Sequence, residues 1–208
     1  MITLYHVNNS RSARNLWLLN ELGLTFEVVE MAFTMEALRT PEYLAISPLG
    51  RVPCLVDGAL RVFESGAICQ YLCETYDEGL LHRPPGHPER VDWLQWLHYA
   101  ETVAVHCAAL IQQRVFISEE NRSPAVIKLE SKRLEKSLEV LDKHLVDREY
   151  LLSSGFSAVD TAVGYSVHLG FQLHDVPPLP NLQAYYARCK SRDAFAKTFD
   201  TEGASSNF

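Results

Sequence analysis

The stretch from Gly50 to Ser65, reading G-R-V-P-C-L-V-D-G-A-L-R-V-F-E-S, carries the residues best suited to chemistry. Pro53 has no N–H to give to a sheet ladder, so it belongs at the beginning or edge of a strand. At that break the N–H and carbonyl of Val52 stay open to the backbone of a peptide-like ligand. The same stretch then delivers an acid, Glu64, and a hydroxyl, Ser65, to the start of a helix. A second candidate is the pair Cys69 and Cys73, one helical turn apart. Such a pair could bind a metal or cycle between redox states, but with no His pair nearby small apolar packing is the better reading.

The elements that must position these groups follow from periodicity. Ile2 to His6 reads as a strand, Leu16, Leu19 and Leu22 mark one face of a helix, and Thr25 to Val29 reads as a second strand. A loop and short helix occupy Phe33 to Leu44. Cys54 to Val56 and Arg61 to Phe63 flank Asp57-Gly58, whose residue types suit the positive backbone angles of a tight hairpin. Ser65 is expected to cap a helix that buries Ile68, Leu72 and Tyr76. The order is β-α-β-α-β-β-α, an α/β unit with a thioredoxin-like sheet, assigned to residues 1–77.

Gly79, Pro84, Pro85, Gly86 and Pro88 interrupt every helical pattern, so 78–88 reads as a linker. Beyond it, residues 89–208 are expected to form an all-α bundle. Glu89 to Phe116 is one long helix candidate, and Pro124 to Leu145 another, with Leu134, Leu138, Leu141 and Leu145 in register. Ser157-Ala-Val-Asp160 has capping-box spacing, making both residues structural. Pro177, Pro178 and Pro180 stop the helix that follows, and a last helix runs from Leu182. The terminal T-E-G-A-S-S-N-F reads as peripheral.

Composition narrows the partners. The 208 residues are 47% hydrophobic, enough for sizeable cores, and carry a net charge of −7 from 26 acidic and 19 basic residues. That field opposes nucleic-acid backbones. Apolar runs are shorter than a membrane span, and the first residues lack the regions of a secretory signal, so a cytoplasmic protein without membrane contact is expected. Five cysteines without a C-x-x-C motif fit unpaired thiols in a reducing compartment, and no metal is expected.

I-S-P-L-G-R-V-P-C-L (46–55), F-E-S-G-A-I-C-Q-Y-L (63–72) and G-F-S-A-V-D-T-A (155–162), together with this domain order, resemble the cytosolic glutathione transferase family over essentially the whole chain. The opening L-Y-H-V-N-N-S-R-S-A-R is similar to a bacterial and fungal subgroup. The resemblance implies glutathione as thiol co-substrate and a cis Val52–Pro53 bond, with the Val52 backbone at the cysteinyl part and Pro53 and Arg51 also among the glutathione-binding residues. It further implies Glu64 at the ligand's ammonium, and Ser65 with its helix start at the α-carboxylate.

Glutathione chemistry needs a thiolate. A cysteine thiol titrates near 8.5, and each unit of lowering requires ~1.36 kcal/mol of thiolate stabilisation. A hydroxyl donating to sulfur, aided by a helix N-terminus, supplies about one to two units. The resemblance places that hydroxyl at Ser10. Ser12, which could instead cap the first helix with Arg14 and Asn15 in its exposed first turn, remains an alternative, as do Tyr5, Asn8 and Asn9. Members with a cysteine here use an enzyme-borne disulfide; this chain has none at that place.

The resemblance also implies an electrophile cleft touching the first bundle helices, with Tyr99, Thr102, Val103 and His106 as lining candidates at helical spacing. The competing assignment puts Val103 in the core and leaves His106 as satisfied surface polarity. A homodimer is implied, with Arg61, Phe63, Cys69 and Tyr76 as interface candidates. Attack of the activated thiol on a hydrophobic small-molecule electrophile is the leading expectation. Glutathione-dependent hydroperoxide reduction and a noncatalytic ligand- or protein-binding module are the alternatives.

Overall fold

The computed structural model describes residues 1–199, which divide into two compact units, one of residues 1–82 with 192–199 and the other of residues 83–191.

In the first unit β1 (Ile2–His6), α1 (Ser12–Glu21) and β2 (Phe26–Glu30) form a βαβ crossover whose strands pair in parallel. Two short helices follow, α2 (Met35–Leu38) and α3 (Pro41–Leu44), each started by a threonine, Thr34 or Thr40, whose side chain accepts a backbone N–H. The antiparallel hairpin β3 (Cys54–Asp57) and β4 (Leu60–Phe63) completes a sheet of order β2-β1-β3-β4, and α4 (Ser65–Tyr76) closes the unit. This is a thioredoxin-like arrangement. The hairpin differs by one residue from expectation: Asp57 pairs with Leu60, so the loop is Gly58-Ala59, with Gly58 at φ 58°. Asp57 instead accepts hydrogen bonds from Tyr71 and Tyr76. Those bonds hold its carboxyl below the usual range, Tyr76 contributing most.

Alternation along β1 buries Ile2, Leu4 and His6. Helix α1 is buried on more than the one predicted face: Trp17, Leu18 and Leu19 are all fully enclosed. The reason is α9 (Asp193–Phe199), which returns to lie on α1. Trp17 meets Phe195 edge to face at 5.0 Å, Arg192 pairs with Glu21 at 2.7 Å, and Asn20 bonds Thr198. The expected boundary of 89–208 is therefore corrected at its far end, because residues 192–199 complete the first unit's core. The expectation for T-E-G-A-S-S-N-F lies outside the described residues.

The second unit contains α5 (Arg90–Ile111), α6 (Pro124–His144), α7 (Ala158–Leu173) and α8 (Pro180–Lys190). Helix α5 ends in a π-helical turn, Gln112–Phe116, inside the single long helix predicted there. It packs against α7, where the Ser166 hydroxyl bonds the Ala100 carbonyl at 3.1 Å. Leu134, Leu138, Leu141 and Leu145 are buried as their register predicted. Ser157 and Asp160 form the expected capping box at the start of α7. Asp160 is fully buried, accepts the N–H groups of Ser157 (2.8 Å) and Leu151 (3.2 Å), and has its carboxyl pushed up to about 6 by that burial.

Candidate functional site

Strand register gathers the candidate residues of the first unit at one end of the sheet. Tyr5 on β1 is opposite Cys54 on β3, and Cys54 is opposite Phe63 on β4. The loop after β1, the Val52–Pro53 entry to β3 and the Glu64–Ser65 exit from β4 therefore emerge together. The Val52–Pro53 bond is cis, as the resemblance implied. Pro53 is buried and Val52 half-buried, and among the described residues no hydrogen bond engages the Val52 N–H or carbonyl.

The loop before Val52 is rigidly built. The Arg51 carbonyl accepts from the Tyr43 and Ser47 hydroxyls, both at 2.8 Å, and the Arg51 N–H donates to Ser47. Burial pushes the Tyr43 phenol up to about 12, so it stays protonated and donates. Gly50 sits at φ 58° with its Cα so close to α2 that an added Cβ would lie 2.2 Å from the Leu38 carbonyl oxygen. Both the angle and the contact require glycine. The Arg51 side chain is exposed.

At the β4 exit, Glu64 adopts φ 75° and ψ 113°, outside the regions comfortable for a residue with a Cβ. That turn leaves its carboxylate exposed and brings Ser65 in as the first residue of α4, not as the cap expected from sequence; no side chain caps the helix. The first-turn N–H groups of α4 are therefore left without a side-chain acceptor at the positive end of its dipole. Behind them lies Arg14, buried to 1% exposure, donating from Nη1 to the Ser65 hydroxyl at 3.1 Å. Asn15, also buried, donates to the Ser65 carbonyl at 2.9 Å. The predicted exposed turn of Arg14 and Asn15 is thus corrected: both point inward, and the buried guanidinium adds a cation to an anion-attracting helix start. Nothing beside Arg14 in the sequence signals this, because the contact with Ser65 spans 51 residues.

In the β1–α1 loop the two serines separate cleanly. Ser12 is fully buried and starts α1 without capping it. Its Oγ accepts the Val7 N–H at 3.2 Å and lies 2.7 Å from both His6 Nδ1 and Ser10 Oγ. A hydroxyl so enclosed cannot touch a ligand. Ser10 is partly exposed and also accepts the Ser12 N–H at 3.3 Å. Asn8 is exposed with Oδ1 3.0 Å from His6 Nε2, Asn9 takes a left-handed φ of 57°, and Tyr5 packs its ring 5.5 Å from Tyr43. His6, not among the predicted site residues, is marked in the sequence as a polar residue in the buried register of Ile2 and Leu4.

In the second unit, Val103 is fully buried, which corrects its assignment as a lining residue in favour of the core. Thr102 is exposed. Tyr99 donates to the Ser137 carbonyl at 3.0 Å, and His106 Nδ1 lies 2.7 Å from Glu130, whose carboxyl that bond holds below its usual range. Among the interface candidates Cys69 is corrected: it is 1% exposed, whereas Arg61 and Phe63 are exposed. Cys73 is buried beside it, and their hydrogen bond together with burial pushes the Cys73 thiol far up, so the pair is packing and not a reactive dithiol. Among the described residues no cluster of three or more His, Cys, Asp and Glu could hold a metal, and no helix is long and apolar enough to cross a membrane.

Residues 1–74 match the family described as Glutathione S-transferase, N-terminal domain. Glutathione S-transferase 3 of Zea mays is 30% identical over 86% of this chain and 84% of its own length. Glutathione S-transferase GstB of Escherichia coli K12 is 28% identical over 95% of this chain and 97% of its own. The crystal structure of the theta class glutathione S-transferase from the citrus canker pathogen Xanthomonas axonopodis pv. citri, with glutathione bound, is 32% identical with a TM-score of 0.84, covering 95% of this chain and 96% of that one. The chain belongs to the glutathione S-transferase family and has its glutathione-binding transferase fold, an N-terminal thioredoxin-like unit followed by helices.

Proposed function

We propose that the protein is a glutathione transferase that holds glutathione across the sheet end and activates its thiol through Ser10 for attack on a hydrophobic small-molecule electrophile. The observation that carries this reading is the convergence at one sheet end of three complementary groups. These are the open Val52 backbone, the uncapped α4 start backed by buried Arg14, and the partly exposed Ser10 hydroxyl. The extended cysteinyl backbone pairs with Val52 as a strand would. The γ-glutamyl carboxylate receives the α4 N–H groups and Ser65, whose hydroxyl accepts from Arg14 and so has its proton to give, while Glu64 takes the ammonium.

Ser10 then stands at the sulfur, and one hydrogen bond to an anion is worth roughly 1.5–3 kcal/mol, or about one to two pKa units. Ser10→Ala is expected to lower kcat/KM about 10- to 100-fold. Its dissociation constant for glutathione should stay near wild type. Unchanged turnover removes Ser10 as the sulfur donor; an absence of thiolate in the wild type across a pH titration, with no turnover on electrophiles or hydroperoxides, leaves a noncatalytic binding protein. The exposed Leu60 and Phe63 on β4 support a homodimer, which sedimentation of the intact protein tests.

A further inference from the structure

Four side chains in the β1–α1 loop form a continuous hydrogen-bonded file: Asn8 Oδ1 to His6 Nε2 at 3.0 Å, His6 Nδ1 to Ser12 Oγ at 2.7 Å, and Ser12 Oγ to Ser10 Oγ at 2.7 Å. Its inner members, His6 and Ser12, are 1% and 0% exposed, while Asn8 at one end is exposed and Ser10 at the other is half-buried. An amide oxygen only accepts, so Nε2 carries a proton and neutral His6 has Nδ1 as an acceptor. Ser12 then gives its one proton to His6 at 2.7 Å, the shorter of its two acceptor contacts, the other being the Val7 carbonyl at 3.2 Å, and accepts from the Val7 N–H and from Ser10. Ser10, having given its proton inward, accepts from the Ser12 N–H and has one lone pair left. In this state Ser10 cannot donate to sulfur; it can only accept.

We propose that this file is a proton relay in which His6 takes up, through Ser12 and Ser10, the proton that glutathione loses, so that Ser10 becomes a donor as the thiolate forms. The inference rests on the transferase reading above. The thiol S–H bond breaks and its proton bonds Ser10 Oγ, the Ser10 proton passes to Ser12 Oγ, and the Ser12 proton passes to His6 Nδ1. The protons balance: one enters the file at Ser10 and one is gained at His6. Ser12 accepts from Val7 N–H and His6 Nδ1–H and donates to Ser10, while Ser10 accepts from Ser12 and donates to the thiolate. Imidazolium His6 keeps its Nε2–H on Asn8. Histidine is the side chain able to hold and release a proton near neutral pH. The titratable groups on neighbouring elements are Glu30, its register partner on β2, Cys54 on β3 opposite Tyr5, and Arg11 and Arg14 flanking Ser12. Ser10 is the catalytic residue of this scheme, and Ser12 and His6 are positioning residues that act through it.

Calorimetric titration of the wild-type protein with glutathione, at neutral pH in buffers of different ionisation enthalpy, counts protons released while ultraviolet absorbance reports the thiolate. Thiolate formation with no proton delivered to the buffer is the expected result; one proton released per thiolate overturns the relay and leaves the transferase reading standing. If no thiolate forms, the transferase reading fails and the relay falls with it. His6→Gln keeps a donor and an acceptor in the file but cannot hold the extra proton, so it should release one proton to the buffer. It should also lower kcat on the order of 10²-fold with KM for glutathione unchanged. Ser12→Ala should break the file likewise and Ser12→Thr restore it. A His6→Gln protein with wild-type kcat, pH profile and proton balance overturns the proposal.

Discussion

The sheet end and the start of α7 both bury ionisable or polar groups, yet they close their hydrogen bonds in opposite ways. Around Asp160 every bond turns inward: the carboxylate accepts from Ser157 and Leu151, and the group carries the cost of burial in a raised titration. Around Ser65 and Ser10 the buried Arg14 and Ser12 bond hydroxyls at the sheet end, Ser65 at 5% exposure beside the uncapped start of α4 and Ser10 half-buried. Glu64 is held in an uncomfortable backbone conformation besides. A closed network gives a stable helix start. An open one keeps valences for a ligand, at a cost in stability.

The sharpest way to break this contrast is Gly50→Ala. Its methyl would meet the Leu38 carbonyl oxygen at 2.2 Å, at a φ of 58°. Strain and overpacking together should cost on the order of 2–4 kcal/mol. The loss should appear in the denaturation midpoint and in weakened glutathione binding, because the loop that presents Val52 must move.

Asp160 tests the closed region next. Asp160→Ala removes a cap and strands buried N–H donors, for an expected loss of about 2–3 kcal/mol with glutathione affinity unchanged. The pH dependence has a definite sign. Asp160 titrates higher in the folded chain, about 6, than in the unfolded chain, so its contribution is full below about 4 and is lost as pH rises through about 6. The stability of wild type relative to Asp160→Asn should therefore fall by roughly 2–3 kcal/mol over that window. A difference that stays flat or rises with pH would contradict the burial assigned to this carboxyl.

The smallest effect is the most discriminating. Glu64→Gly relieves the positive φ and should raise stability by about 0.5–1 kcal/mol in chemical denaturation. It should weaken glutathione about tenfold through loss of the carboxylate. A variant that is both less stable and fully able to bind would show that the strain at Glu64 serves packing and not the ligand.

Local chemistry was legible where the argument spans a few residues. Pro53 at a strand entry and the Ser157–Asp160 box depend on neighbours in sequence and appear where expected, while Ser65 stands one position later than expected, as the first residue of α4 and not its cap. Ser12 against Ser10 was not legible, because two hydroxyls two residues apart differ only in which one β1 and α1 enclose. Val103 and Cys69 failed as surface residues for the same reason: helical spacing gives a face but not what covers it. The second buried face of α1 depends on α9, more than 170 residues later in the chain.

By itself, the sequence determined the family and the element order, because periodicity, proline and capping patterns act over one or two turns. Tertiary structure alone decided that Arg14 stands behind Ser65, that His6 and Ser12 back Ser10, and that α9 completes the first unit. Those outcomes depend on desolvation and on hydrogen bonds closed between distant segments, and burial is a property of the packed chain that no single segment carries.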